Sequence, residues 1–374
     1  MMQDLPRGVR ENVINKLRLL YSASGYSLYK MSKFEEYDLY ARNKDFLISD
    51  RVITFLDTNG KLMALKPDVT LSIVKNTRDD DDGLQKLYYN ENVYRASNDS
   101  HSFKEIPQVG LECMGQLDAY SICEVLELAA KSLLCISGEG ILDVSHLGLL
   151  SAVLDAIGVP AGSRGAALKF IGEKNTHEML ALCRGCGIEL EKIDLLKRVL
   201  SANGKPGAVI PELRKLLDGV IPMETLDQLE EITTALANSP AGEILRIDFS
   251  VVDDMRYYNG FIFKGYVPAL PSSVLTGGQY DKLMKKMGRT SGAIGFAVYL
   301  DMLERMDQPR RAYDVDTVLL YEQGAPLGVI RKVAESIRAA GESVMIQRNV
   351  PSNIRYRNLM KLRGEEVEIL ENNA

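Results

Sequence analysis

The sequence predicts an α+β fold, and three observations carry that expectation. Residues 86–115 read as two strands joined by a polar loop, residues 8–23 carry apolar side chains at helical spacing, and from about 148 to 240 short amphipathic helices alternate with Gly/Pro breaks.

At 374 residues the chain is long enough for two or three domains, and 46% hydrophobic residues is normal for a globular core. No apolar run reaches membrane-spanning length and the polar start lacks a secretory core segment, so the expected location is the cytoplasm. Lys and Arg number 45 against 51 Asp and Glu, giving a net charge of −6 and a pI near 5.4. That balance argues against a surface built to grip nucleic acid. The run Asp79 to Asp82 reads as a solvated loop.

Taken in order, Val9, Val13, Leu17 and Leu20 predict an amphipathic helix that stops at Ser24 and Gly25. Extended segments follow. Val52–Leu56 and Leu62–Leu65 flank Asp57-Thr58-Asn59-Gly60, a hairpin signal in which Asn-Gly supplies the positive φ of the turn. Pro67 then ends the strand, and Asp68 stands where a helix begins: it either caps that helix or meets the α-ammonium of a small ligand.

In the second strand of 86–115, Val109, Leu111 and Cys113 share one face while Gln108, Gly110 and Glu112 share the other. The polar face either lies in water or presents a small pocket, with Gly110 leaving room and Arg95 placed to meet a carboxylate bidentately. Asp118 starts a helix with Ile122, Val125, Leu126, Ala129 and Leu133 on one face. Within the helical stretch, Cys183 and Cys186 lack a second pair or a nearby His cluster and fit the apolar face with Met179 and Leu182, so they read as core rather than metal ligands.

Leu245, Ile247, Phe249 and Val251 alternate with Arg246, Asp248 and Ser250, which predicts a half-buried strand. Gly277 and Gly278 lie in a glycine-rich unit that permits either a tight turn or a close backbone approach to a ligand. Ala293–Val298 reads as a strand entering a final helix. After Pro309 a short tail predicts a strand at Asp316–Tyr321, a helix from about 326 to 340, and strands near 343–347 and 366–370, a piece expected to dock on the main body or on a partner.

The order and spacing of these pieces over residues 5–305 resemble the catalytic core of histidyl-tRNA synthetase, a class II aminoacyl-tRNA synthetase. Leu65-Lys66-Pro67-Asp68-Val69-Thr70 stands for the family's Leu-Arg-Pro-Glu-x-Thr, Tyr94-Arg95 for its motif 2 strand, and Tyr257-Tyr258 with Gly260 for its Tyr-Tyr signature. Gln108 to Glu112, Gly277 to Asp281 and Gly295-Phe296-Ala297 continue the match. The resemblance implies a class II synthetase-like antiparallel sheet flanked by helices over 1–147 and 241–308. It further implies a helical insertion at 148–240 and an abbreviated anticodon-binding-like α/β segment at 311–374. It also implies a histidine pocket on Asp68, Thr70, Arg95, Gln108, Glu112, Tyr257 and Tyr258; the departures described next leave no catalytic residue expected, and no cofactor or metal is expected.

The nucleotide half of the family's pattern is broken. Where the family carries a γ-phosphate arginine in motif 3 this chain has Met302, Asp253 stands for a catalytic arginine, and Ser97 for the glutamate that orients adenine. Each preorganised donor of that kind supplies about 3–4 kcal/mol of transition-state stabilisation, so a working ligase is not expected. A synthetase body without activation chemistry is similar to the regulatory-subunit family of ATP phosphoribosyltransferase, HisZ. That resemblance implies a hetero-oligomer with the short-form ATP phosphoribosyltransferase catalytic subunit in the first step of histidine biosynthesis, with histidine as effector and a homodimer inside the assembly. A synthetase-like paralogue or a divergent histidyl-tRNA synthetase are the alternatives.

Overall fold

The computed structural model describes residues 9–47, 52–79, 83–96, 102–252, 257–268, 270–303, 313–350, 352–364 and 366–373. The chain divides into two compact units, of residues 8–306 and 307–374.

In the larger unit, α1 (Val9–Ala23) is followed by β1 (Ser27–Leu28), β2 (Phe34–Glu36), α2 (Tyr37–Arg42), β3 (Thr54–Leu56), β4 (Leu62–Leu65) and α3 (Thr70–Asn76). Two long strands, β5 (Gln85–Ala96) and β6 (Phe103–Gly115), precede α4 (Ala119–Ile136), β7 (Ile141–His146) and α5 (Leu147–Ile157). Next come α6 (Arg164–Gly172), α7 (Thr176–Gly185), α8 (Leu190–Ser201), α9 (Pro206–Leu217), α10 (Glu224–Leu236) and α11 (Pro240–Ile244). The unit then returns to strands with β8 (Leu245–Ile247), β9 (Phe261–Tyr266) and β10 (Leu275–Gln279), followed by α12 (Asp281–Lys286) and β11 (Gly292–Tyr299).

Among the described residues, eight strands form one sheet in the order β1-β5-β6-β11-β10-β9-β7-β8. It is antiparallel except at its ends, where β1 runs parallel to β5 and β8 parallel to β7. A separate antiparallel sheet has the order β2-β4-β3. Its turn is held by Asp57, whose Oδ1 accepts from the amides of Asn59 and Lys61, with Gly60 at φ 77°. Asp118 caps α4 by accepting from the Ser121 amide at 2.8 Å.

The alternation of β6 sets both faces of the large sheet. Val109, Leu111 and Cys113 enter a core with Leu17 and Tyr21 of α1 and Val125, Leu126 and Ala129 of α4. Gln108, Gly110 and Glu112 point the other way yet are also buried, so this is no water-facing hairpin. That second face is covered by a cluster containing Tyr89, Val93, Met114, Val69, Leu71 and Tyr280.

Several sequence expectations need correction. The strand predicted over 245–251 ends at Ile247, because Asp248 Oδ1 accepts the Ser250 amide at 2.8 Å and turns the backbone out of the ladder; Phe249 and Val251 stay buried regardless. Gly277 and Gly278 form no turn: they lie inside β10, where a methyl group on Gly277 would collide with Phe296. Part of the region after α1 is helical, as α2, rather than extended. Asp79 is no solvated loop residue. It accepts from Arg289 Nε at 2.6 Å, the Thr290 amide at 2.9 Å and Ser291 Oγ at 2.5 Å, while residues 80–82 lie outside the described residues. After β11 the described chain makes a turn to Leu303, and the helix expected there falls outside the described residues.

Cys183 is buried in the core and Cys186 lies half-buried near the Ser163 hydroxyl. Among the described residues no group of three or more His, Cys, Asp or Glu side chains is placed to hold a metal ion, and no helix is long and apolar enough to cross a membrane.

The smaller unit holds β12 (Val315–Tyr321), α13 (Leu327–Ala339), β13 (Val344–Gln347), β14 (Tyr356–Arg363) and β15 (Glu366–Asn372) in the order β13-β12-β14-β15. Strands β13 and β14 lie parallel to β12, and β15 runs antiparallel to β14. Strand β14 was not predicted. Its two buried leucines lie three residues apart and enter different clusters, Leu359 with Val315 and Val318 and Leu362 with Leu319 and Ile330, so no single apolar face marks it in the sequence.

Candidate functional site

Small residues at the middle of the large sheet open a cavity on its second face. In the ladder, Glu112 lies between Leu87 and Gly295, Gly110 between Tyr89 and Ala297, and Gln108 between Glu91 and Tyr299. Gly295 is in turn opposite Gly278 on β10. Three glycines thus meet on the floor, and larger side chains lie flat over them. The Tyr89 hydroxyl covers Gly110, the Tyr258 ring covers Gly278 at 2.7 Å from where a Cβ would stand, and the Glu112 carboxylate covers Gly295. A side chain at any of the three would displace its neighbour.

The resulting cavity has a volume of about 490 Å³ and brings together all seven residues singled out from the sequence: Asp68, Thr70, Arg95, Gln108, Glu112, Tyr257 and Tyr258. The size is within the ordinary range for small-molecule sites. Asp68 stands ahead of α3 and accepts from the Leu71 amide at 2.8 Å, so it holds the helix start and lines the cavity at once. Burial raises its carboxyl above the usual range despite the Leu71 amide and the positive charge of Arg95. Arg95 donates from Nε to the Pro67 carbonyl at 3.2 Å, which ties β5 to the loop carrying Asp68. The same loop is fixed by Lys66, whose fully buried ammonium pairs with Glu91 at 2.9 Å, and by the Tyr94 amide donating to the Lys66 carbonyl.

Glu112 is the most enclosed acid of the site, 2% exposed. Thr70 Oγ1 donates to its Oε1 at 2.7 Å and the Tyr280 hydroxyl donates to its Oε2 at 2.5 Å. Burial pushes the carboxyl up to about 8, with the two hydroxyl donors pulling the other way and Asp68 adding to the rise. The rings of Tyr257 and Tyr280 lie 5.8 Å apart, and Tyr257 also meets Tyr258 at 4.6 Å and Phe46 at 6.0 Å. These rings wall the end of the cavity that holds Glu112.

Sequence reasoning missed Tyr89, Tyr280 and Lys264. Tyr89 shares the face of Arg95 on β5 by simple strand parity, and that signal was available. Lys264 and Thr276 line the opposite side, opposite each other in the ladder. Of the three degenerate positions, Met302 is half-buried against the core, takes a contact from Ser272 Oγ at 3.2 Å on its sulfur, and is not among the cavity-lining residues. Ser97 and Asp253 lie outside the described residues.

The site thus gathers acids at one end with Arg95 beside them over a glycine floor in an antiparallel sheet. The family model described as histidyl-tRNA synthetase matches residues 6–303. The chain belongs to the histidyl-tRNA synthetase family. Its relatives include proteins named as a regulatory subunit and as a tRNA ligase. A protein of Oceanobacillus iheyensis named ATP phosphoribosyltransferase regulatory subunit is 22% identical, over 98% of this chain and 89% of its own length. One of Methanocaldococcus jannaschii named histidine–tRNA ligase is 27% identical, over 93% and 86%. Among solved structures, an ATP phosphoribosyltransferase regulatory subunit/histidyl-tRNA synthetase from Bacillus halodurans superposes with a TM-score of 0.78 at 24% identity, covering 96% of each chain. A chain of the HisG:HisZ ATP phosphoribosyltransferase complex from Thermotoga maritima superposes with a TM-score of 0.62 at 19% identity, covering 80% of this chain and 99% of that one. The fold is therefore the class II aminoacyl-tRNA synthetase-like fold, a mixed sheet flanked by helices.

Proposed function

We propose that this chain is a non-catalytic regulatory subunit of ATP phosphoribosyltransferase that holds histidine in the cavity and acts on a short-form catalytic subunit in the cytoplasm. The observation that carries this reading is the contrast between Met302 and the amino-acid end of the site. Where the family resemblance calls for an arginine on the triphosphate, a neutral thioether packs against the core outside the cavity lining. Asp68, Arg95 and Glu112, by contrast, converge on one chamber. Relatives named ATP phosphoribosyltransferase regulatory subunit, aligned with 98% and 83% of the chain, point the same way.

In this reading residues 1–147 and 241–308 form the synthetase-like core, 148–240 a helical insertion, and 311–374 an abbreviated anticodon-binding-like segment. The ligand's ammonium meets Asp68, its carboxylate Arg95, and its ring Glu112 with the tyrosines. Histidine bound here alters the partner only through the difference in its affinity for the two assembly states, and the partner alters histidine affinity by the same factor. The chain pairs with a second copy inside the hetero-oligomer.

A second reading, a divergent histidyl-tRNA synthetase, is favoured by the relative named histidine–tRNA ligase, which aligns over 93% of the chain. ATP–pyrophosphate exchange with histidine separates the two. The regulatory reading expects no exchange above background, and exchange at ligase rates rejects it. Co-elution with a short-form catalytic subunit is expected from the regulatory reading alone.

A further inference from the structure

Among the described residues, Glu112 is held by two hydroxyl groups. Thr70 and Tyr280 donate to its two oxygens, and among the described residues no lysine, arginine or histidine pairs with it. The titratable groups facing it from the surrounding elements are Asp68 ahead of α3, Tyr89 on β5, and Tyr257 and Tyr280 from the segments before β9 and α12. None is a cation. Arg95, the base on β5, is engaged with the Pro67 carbonyl. β11 contributes only Gly295, whose missing side chain leaves the space that Oε2 fills.

Resting on the reading of this cavity as a histidine site, we propose that Glu112 and the imidazole of the ligand share a single proton, with Tyr280 as the positioning residue that sets how tightly the carboxyl holds it. An enclosed carboxyl without a cationic partner keeps its proton well above the usual range, here up to about 8, because burial penalises the charged form. A free imidazole takes a proton only below about 6.5. Between those limits the empty site carries one proton and the ligand none, so one proton lies between carboxyl and ring nitrogen in the complex and nothing is exchanged with solvent. Below that window the ligand brings a second proton, and one has to leave. Above it neither partner has one, and one is taken up. Affinity then has a plateau from about 6.5 to about 8 and falls by about tenfold per pH unit on each side. A ring of similar bulk without a basic nitrogen, as in phenylalanine, offers the proton no acceptor.

Tyr280 enters through its donor hydroxyl. The Tyr280→Phe ring fills the same space, but the carboxylate loses the hydrogen bond that favours its charged form, so the alkaline edge of the plateau moves to higher pH. A residue that merely filled space would change affinity at every pH alike.

The test is calorimetric titration of the full chain with histidine from pH 5.5 to 9.5, in paired buffers of different ionisation enthalpy. The wild type is expected to release a proton below about pH 6.5, take one up above about pH 8 and exchange none between. The Glu112→Gln variant keeps only the alkaline proton uptake of the ligand's own α-ammonium, so the difference between the two profiles is the edge that belongs to Glu112, and Tyr280→Phe shifts that edge upward. A wild-type profile that is flat and proton-neutral throughout, or a Glu112→Gln profile identical to wild type on the alkaline side, overturns the shared proton while leaving the histidine site standing. No binding at any pH overturns the histidine site itself, and this inference falls with it.

Discussion

Gly295 lies directly across the β6–β11 ladder from Glu112, and a methyl group at position 295 would overlap Oε2 of the glutamate. The Leu111 carbonyl oxygen approaches the same point within 2.5 Å and withdraws only if the sheet moves, whereas the carboxylate can be pushed aside.

Gly295→Ala is therefore expected to act twice. Overpacking at the sheet centre should lower stability by about 1–3 kcal/mol, and displacement of the carboxylate should weaken histidine binding. Urea denaturation and calorimetry on the same preparation check both. A variant with native stability and native affinity would show that the floor is looser than described.

Arg95→Ala tests the carboxylate contact. A charge-assisted hydrogen bond of about 1.5–3 kcal/mol corresponds to roughly ten- to hundredfold weaker histidine binding. Histidinol, which lacks the carboxylate, is expected to bind both proteins about equally. An equal loss for both ligands would mean that Arg95 acts by tying the Pro67 loop to β5.

Asp79 joins the loop after α3 to the segment before β11 through Arg289, Thr290 and Ser291. The hydroxyl, amide and guanidinium donors hold its carboxyl well below the usual range against the opposing effect of burial. Its contribution is complete above the ordinary aspartate value near 3.9 and is lost as pH falls through the lower native value. Asp79→Ala should cost about 1–2 kcal/mol near neutrality, with the gap from wild type closing in strong acid. A gap that stays constant with pH would contradict the assignment.

His146 caps α5 by accepting the Leu149 amide on Nδ1 at 3.1 Å, and its ring meets Phe261 edge-on at 4.8 Å. Burial depresses its pKa to about 4, so the unfolded chain binds the proton more readily. The contribution is present above about 6.5 and drains away as pH falls toward 4, by about 2–4 kcal/mol in full. His146→Asn keeps a capping side chain and removes the titration. Its stability should fall less steeply than wild type between pH 6.5 and 4 in urea denaturation; parallel curves would refute this.

Much of the fold was legible because its signals are local. Val13 and Leu17 at helical spacing, Asp118 at a helix start and Asn59-Gly60 in a turn each need only their neighbours, and α1, α4 and the β3–β4 turn follow them. Less legible were features that depend on distant residues. Gly277 reads as either a turn residue or a close backbone approach until Phe296 is placed beside it, and Asp79 reads as a solvated charge until Arg289 arrives from the far end of the unit. Strand β8 stops early because the side chain of Asp248 competes with the ladder, a choice that period-two burial of Phe249 and Val251 conceals. At the site, Gln108 and Glu112 were found through strand parity, and Arg95 as a cation on the neighbouring strand. Tyr280 was not, since its approach to Glu112 spans 168 positions of sequence.

The central claim is that this chain works on another protein's reaction. Its most direct test is phosphoribosyl-ATP formation from ATP and phosphoribosyl pyrophosphate by a short-form catalytic subunit, assayed with and without this chain. The account predicts product only when both are present and inhibition by histidine that Arg95→Ala weakens. A catalytic subunit indifferent to the addition of this chain would contradict it.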